Sequence, residues 1–268
     1  MIEILKSIFL GIVQGLTEFL PVSSSGHLNI MPWLFKWEIT ESFDLALHAG
    51  TLLAILIYFY KDWIELIGGG VKLVFKKEKS TEGKIFWYIV AATIPAGVLG
   101  LILEKGVELI VGDNLNLEMI IIAAALIIMG VILYFVDKKC KVKTSYSEIN
   151  FKNALLIGAS QSIAAAVPGT SRSGITMTVS RALGLDRESA AKFSFLLSAP
   201  IVAAAVLLSI SEFNLSVEFF AGVLASFISG MLVIKFLMGY LKKGSYKIFA
   251  IYRVIFGLFI IITAILRM

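Results

Sequence analysis

Long apolar runs alternate with short polar connections along the whole chain. Six runs approach the ~20 apolar residues that a helix needs to cross a bilayer. They cover residues 45–60, 85–103, 119–136, 201–210 with its flanks, 219–238 and 248–266. The pattern predicts an all-α, polytopic membrane protein. Composition agrees, because 58% of the 268 residues are hydrophobic and 16% are charged, against about a quarter charged in soluble domains.

Two segments interrupt this pattern with proline, glycine and small hydroxyl residues. They cover residues 11–27 and 158–174, and each precedes three apolar runs. Aligned without gaps they are identical at Gly11/Gly158, Gln14/Gln161, Pro21/Pro168 and Ser24/Ser171. We therefore predict two repeats, 1–137 and 138–268, each with a helical hairpin (about 2–36 and 151–184) followed by three transmembrane helices.

The second limb of each hairpin is too short to cross a membrane. The limbs cover about 13 residues each, 24–36 and 172–184, or ~20 Å of helix against a ~30 Å hydrocarbon core. We expect both hairpins to be re-entrant. An odd number of crossings per repeat also predicts that the second repeat is inverted relative to the first.

Loop charge sets the predicted orientation. Lysines concentrate in residues 61–84, 138–152 and 235–247, which we interpret as cytoplasmic loops, and the other connections are acidic or mixed. The tips then approach the midplane from opposite faces. The net charge of +5 forms no stripe, so we expect contact with lipid headgroups and no nucleic acid. Cys140 is the single cysteine and excludes an intrachain disulfide.

Both predicted tips carry groups that bind anions. Hydroxyl residues at the helix starts are good N-caps, and free N–H groups there attract phosphate. Arg172 adds a planar guanidinium. Close helix packing is an alternative role for the serines and glycines. It leaves Arg172 unexplained, since an arginine at membrane depth costs at least ~2.5 kcal/mol without a partner or water.

Acid–base groups flank the first tip. Gln14 and Glu18 share one helix face, and Glu18 could hold a divalent cation, take a proton, or form a structural ion pair with Arg172. His27 lies three residues beyond Ser24, a spacing that permits a Ser–His relay.

Three further polar residues have less defined roles. For His48 we weigh a lateral approach to the site against a packing role at the interface. We assign Tyr252 and Arg253 to membrane topology, with the arginine reaching lipid headgroups.

The motifs QGLTEFLPVSSSGH at 14–27 and PGTSRSG at 168–174 resemble the undecaprenyl-diphosphate phosphatase family, also called the bacitracin-resistance proteins. Residues 47–51, 193–197 and 250–253 support the resemblance. Gln14 is the less acidic variant of a Glu-or-Gln position in that family, and Ser25 replaces a frequent Thr. The resemblance implies hydrolysis of undecaprenyl diphosphate, a divalent cation, a site open to the extracytoplasmic side, recycling of the carrier lipid for cell-wall synthesis, and tolerance of bacitracin.

We therefore predict a plasma-membrane phosphatase. The expected catalytic residues are Glu18, Ser24, His27 and Arg172, with Glu18 also binding Mg²⁺ or Ca²⁺. The expected substrate-binding residues are Gln14, Ser23, Ser25, Gly26, Gly169, Thr170, Ser171, Ser173 and Gly174. Either Ser24 attacks with His27 as base, or His27 attacks directly. The expected partners are the isoprenoid diphosphate lipid and membrane lipids, with a homodimer left open. The rival functions are a transporter or lipid flippase with alternating access, and a membrane scaffold.

Overall fold

A computed structural model of the protein describes residues 1–37, 40–111 and 114–267. In these ranges the α-helices are α1 (Ile2–Phe19), α2 (Ser24–Phe35), α3 (Glu41–Tyr58), α4 (Tyr60–Phe75), α5 (Thr81–Val111), α6 (Leu115–Lys139), α7 (Phe151–Ala166), α8 (Arg172–Ala182), α9 (Arg187–Leu208), α10 (Val217–Leu241) and α11 (Lys247–Arg267). The all-α prediction is confirmed.

The helices α5, α6, α9, α10 and α11 are long and apolar enough to cross a membrane. The pair α3 and α4 provides a sixth span if it is counted as one element bent by 77°. The limbs α2 and α8 have 12 and 11 residues, or ~18 and ~17 Å of helix, and neither can cross a bilayer alone. The chain is thus a multi-pass membrane protein with two short hairpin limbs. The inverted orientation of the repeats stays a prediction.

One predicted loop is wrong. Residues 61–84 were expected to connect two spans, but residues 60–75 form α4. Tyr60, Ile64, Ile67 and Val71 are exposed apolar residues at helical spacing, and this periodicity in the sequence could have predicted the helix. Gly70 lets α4 approach α5, since a Cβ there would lie 2.3 Å from the Phe86 ring.

The two halves of the chain exchange packing partners. Helix α1 packs against α10, α7 against α5, and α6 against α11, so the first limb of each hairpin contacts the second span of the other half. Both contacts depend on a missing side chain. A Cβ on Gly11 would lie 2.3 Å from Gly222 O, and one on Gly158 would lie 2.3 Å from Ala92 O. Gly11 and Gly158 are aligned in the two repeats, and each permits the same kind of close backbone approach.

A buried ionic cluster, which we call the Asp137 cluster, joins the C-terminal end of α8 to its neighbours. Asp137 at the end of α6 accepts hydrogen bonds from Arg181 Nε (3.0 Å), Arg187 Nε (2.8 Å) and the Tyr246 backbone N–H (3.1 Å). Arg181 also donates to the Cys140 carbonyl at 3.3 Å. The cluster therefore connects α6, α8, the start of α9 and the segment before α11.

Candidate active site at the hairpin tips

The two tips have the same local geometry. Ser23 caps α2 and accepts from Gly26 N at 3.2 Å, and Ser171 caps α8 and accepts from Gly174 N at 3.1 Å. The cap serines have φ of 78° and 70°, a region that costs a residue with a Cβ about 1–3 kcal/mol. Strained backbone of this kind concentrates at functional sites, and here it occurs at the same place in both halves.

The structure shifts the gapless alignment of the two repeats by one residue at the tips. The equivalent caps are Ser23 and Ser171, not Ser24 and Ser171, because the second break contains one residue more. Gly169 takes up the extra residue with φ of +88°. Ser24 and Arg172 are consequently the first residues of α2 and α8 and occupy equivalent positions.

Glu18 brings these two equivalent residues together. Ser24 Oγ donates to Glu18 Oε2 at 2.6 Å, and Arg172 forms a hydrogen-bonded ion pair with Glu18 Oε1. Gln14 Nε2 donates to Glu18 Oε2 at 3.2 Å. The carboxylate lies at the end of α1 and is 6% exposed. The two tips therefore meet, and the Glu18–Arg172 ion pair is present, which the sequence analysis gives as the structural alternative to a functional role for Glu18.

His48 also reaches this carboxylate. Its Nε2 lies 3.7 Å from Glu18 Oε2, while its Nδ1 is 3.0 Å from the Asp44 carbonyl oxygen. Because a carbonyl only accepts, Nδ1 carries a hydrogen. Of the two roles considered for His48, the lateral approach to the site is the one that the structure displays.

His27 and Ser24 form their side-chain hydrogen bonds with other residues. His27 Nδ1 lies 2.6 Å from the Ser23 carbonyl oxygen and its Nε2 lies 2.7 Å from the Tyr252 hydroxyl. The Phe256 ring stacks on the imidazole with centroids 4.3 Å apart and planes within 12°. The proposed Ser24–His27 hydrogen bond is thus replaced by a Ser24–Glu18 bond, and both ring nitrogens of His27 have other partners.

The prediction that Arg253 reaches lipid headgroups is wrong, because the side chain is fully buried. Its guanidinium donates to carbonyl oxygens of both breaks, at Pro21 (3.1 Å), Gly169 (2.9 Å) and Thr170 (2.8 Å), and also to Leu126 of α6 (3.1 Å). The oxygens of Pro21, Gly169 and Thr170 lie in the breaks after α1 and α7, where helical hydrogen-bond partners are missing. Tyr252 was likewise assigned to topology and instead hydrogen-bonds His27.

The remaining predicted binding residues line the tips. Ser25 Oγ lies 3.3 Å from Ser23 Oγ, and Ser173 Oγ lies 3.3 Å from Ser171 Oγ. Ser173 also donates to the Leu20 carbonyl across the two hairpins at 3.1 Å. The Ser173 hydroxyl therefore connects the two tips.

Comparisons with known proteins agree with these motifs. The family described as "Bacitracin resistance protein BacA" matches residues 7–259. A protein named undecaprenyl-diphosphatase from Caldicellulosiruptor bescii is 50% identical over 254 residues, which cover 92% of each chain. Proteins of the same name from Pelotomaculum thermopropionicum and Moorella thermoacetica are 43% and 42% identical, over 98% of both chains in the first case and over 96% of this chain and 97% of the relative in the second. The chain belongs to the BacA family of bacitracin resistance proteins.

Proposed function

We propose that the protein hydrolyses undecaprenyl diphosphate to undecaprenyl phosphate and inorganic phosphate. Membership of the BacA family and the shared name of its relatives support this reaction. The structural observation that carries the proposal is the convergence of Ser24 and Arg172 on Glu18. The nucleophile Ser24 and the phosphate-binding guanidinium of Arg172 both contact the carboxylate of Glu18, which is the base. The carrier lipid returns to cell-wall synthesis, and removal of the diphosphate deprives bacitracin of its target.

Arg172 and the starts of α2 and α8 bind the diphosphate. The guanidinium has five N–H donors in a planar fork that matches phosphate oxygens. The first residues of both helices contact Glu18, and the buried guanidinium of Arg253 donates to the Pro21 and Thr170 carbonyls just before the two helix N-termini. In phosphoryl transfer most of the catalysis is positioning and stabilisation of charge, and these groups supply both.

The contacts support Ser24 over His27 as the nucleophile. Ser24 Oγ attacks the terminal phosphorus as its proton passes to Glu18 Oε2, 2.6 Å away. The bond from phosphorus to the bridging oxygen breaks, and undecaprenyl phosphate leaves as an anion. Water then attacks the phosphoserine, the proton held by Glu18 passes to the serine oxygen that leaves, and inorganic phosphate carries away both protons of the water while the Glu18 carboxylate is regenerated. His27, held by its hydrogen bonds with Ser23 and Tyr252, has a positioning role beside Ser24.

A divalent cation fits the carboxylate end of the site. Gln14 Oε1 is buried and accepts no hydrogen bond within the described part of the chain, so an acceptor lies unused beside Glu18. Residues 1–37, 40–111 and 114–267 contain no group of three or more His, Cys, Asp or Glu side chains arranged around a metal position. Mg²⁺ suits such a sparse site, because it is commonly held by one or two carboxylates plus phosphate oxygens. Glu18 and Gln14 would hold the cation, which would neutralise charge on the phosphate.

The site opens towards the extracytoplasmic side of the plasma membrane. The lysine-rich connections between α6 and α7 and between α10 and α11 lie at the opposite ends of the spans. A cavity of about 390 Å³ lies at the start of α1, lined in part by Lys6, Ser7 and Leu10, and Gln14 and Glu18 lie further along the same helix. Homodimer formation stays a prediction, for which the mass of the purified protein is the test.

Phosphate release from undecaprenyl diphosphate by the purified protein in detergent tests the function. A transporter or flippase releases none, and a scaffold releases none. Arg172→Ala should lower kcat/KM by at least about a hundredfold, while Lys235→Ala, which removes an exposed charge on α10, should leave it unchanged. Near-normal release by Arg172→Ala contradicts the tip site. An acid-stable phosphoenzyme identifies Ser24, and an acid-labile one identifies His27.

A further inference from the structure

A row of side chains rises from the first tip along α2. His27, Met31 and Leu34 are spaced i, i+4 and i+7, so they share one side of the helix. Met31 and Leu34 are partly buried against an apolar cluster that joins α2, α6 and α11. The row begins at the active site and continues towards the end of α2.

A second row runs beside it on α11. Tyr252, Phe256 and Phe259 have the same spacing, and consecutive rings stack at centroid distances of 5.7 and 6.3 Å, with planes within 17°. Phe256 packs against the cluster that also holds Met31 and Leu34. The two rows together form a continuous apolar and aromatic surface, which we call the tail strip.

The tail strip is continuous with the active site. The Tyr252 hydroxyl lies 2.7 Å from His27 Nε2, and Phe256 stacks on the imidazole. Yet His27 is 6% exposed while Tyr252 and Phe259 are 42% and 47% exposed. The Tyr252 ring therefore lies between the buried His27 and the outer surface of α11, which faces lipid because α11 is a membrane span.

We propose that the tail strip binds the isoprenoid tail of the substrate next to its diphosphate. The inference rests on the proposed function and adds where the lipid part of the substrate lies. A chain that leaves the tips on the His27 side meets Tyr252 first and then the flat faces of Phe256 and Phe259, about 10 Å along the helix. Aromatic rings offer large apolar contact area to such a chain. The Arg267 side chain binds the Leu34 carbonyl at 3.0 Å and the carbonyl of Trp33, which keeps α2 and α11 together at the far end.

One substitution, assayed with two substrates of different tail length, tests the tail strip. Phe259→Ala removes a ring that does not touch His27. Its kcat/KM for undecaprenyl diphosphate should fall about tenfold, a loss of about 1.4 kcal/mol of binding, mainly through KM. For dimethylallyl diphosphate, which has one isoprene unit, the value should change by less than about twofold, because that tail ends before Phe259. The control is Phe236→Ala, a lipid-facing ring of α10 that is 58% exposed and also stacks on a tyrosine.

The outcomes separate the two proposals. If the wild-type protein releases phosphate from neither substrate, the proposed function is wrong. If it does so and Phe259→Ala affects both substrates equally, or neither, the tail strip is wrong and the function stands. A second measurement is independent of turnover: benzoylphenylalanine at position 259 should photocrosslink to undecaprenyl diphosphate, and at position 236 it should not. Equal crosslinking at both positions overturns the inference.

Discussion

Replacement of Arg253 should uncouple the two hairpin tips. Arg253→Met keeps much of the aliphatic stem but leaves the carbonyl oxygens of Pro21, Gly169 and Thr170 without donors. Each buried unsatisfied carbonyl costs ~1–3 kcal/mol, and removal of the buried charge recovers part of that sum. We expect a net loss of about 3–5 kcal/mol, which lowers the midpoint of thermal unfolding in detergent by on the order of 10 °C.

The charge-conserving variant separates positioning from stability. In Arg253→Lys the ammonium group reaches the carbonyls of one tip but not of both, since it is a point donor on a flexible stem. We expect kcat to fall at least about tenfold with KM nearly unchanged, because substrate still binds Arg172. Arg267→Lys is the matched control, an arginine of the same helix that also binds carbonyls but lies far from the tips. Wild-type kcat and thermal midpoint for Arg253→Lys would refute this reasoning.

Four further outcomes follow from the contacts of the site and the helices. Glu18→Gln cannot accept the Ser24 proton, so kcat should fall roughly 10²–10⁴-fold, and full activity in a phosphate-release assay would remove the carboxylate from the mechanism. Tyr252→Phe should lower kcat about tenfold at constant KM by releasing His27, whereas Tyr240→Phe, which loses a hydroxyl bond to a loop carbonyl, should not; equal effects would argue against a positioning role. Gly158→Ala should lower the thermal midpoint by separating α7 from α5, at ~1–3 kcal/mol, and an unchanged midpoint would contradict the close contact. Chelator should abolish phosphate release and Mg²⁺ restore it; activity in excess chelator would exclude the cation.

Patterns within the chain predict the elements that bring the tips together. The apolar runs indicate the spans, and the proline breaks indicate the limb starts at residues 24 and 172. An arginine and a glutamate at membrane depth need partners, which explains why the meeting of Glu18 and Arg172 is visible in the sequence.

Other features leave weaker traces. Arg253 lies next to a basic loop in the sequence and therefore resembles an interfacial anchor. Its actual partners are backbone carbonyls, which every residue type carries, so no sequence motif reveals them. The one-residue offset between Ser24 and Arg172 depends on a left-handed Gly169, which an alignment by identity cannot detect. The lysines and glycines of residues 61–84 obscured a helical apolar period in α4.

Helix α8 joins the Asp137 cluster to the hairpin tips. Helix α8 begins with Arg172 and nearly ends with Arg181, whose guanidinium binds Asp137. Three helical turns form a stiff strut of ~16 Å, too short to bend appreciably. A substitution that displaces Asp137 should therefore also displace the Arg172 guanidinium at the start of α8, so the geometry of the tips depends on a contact three helical turns away.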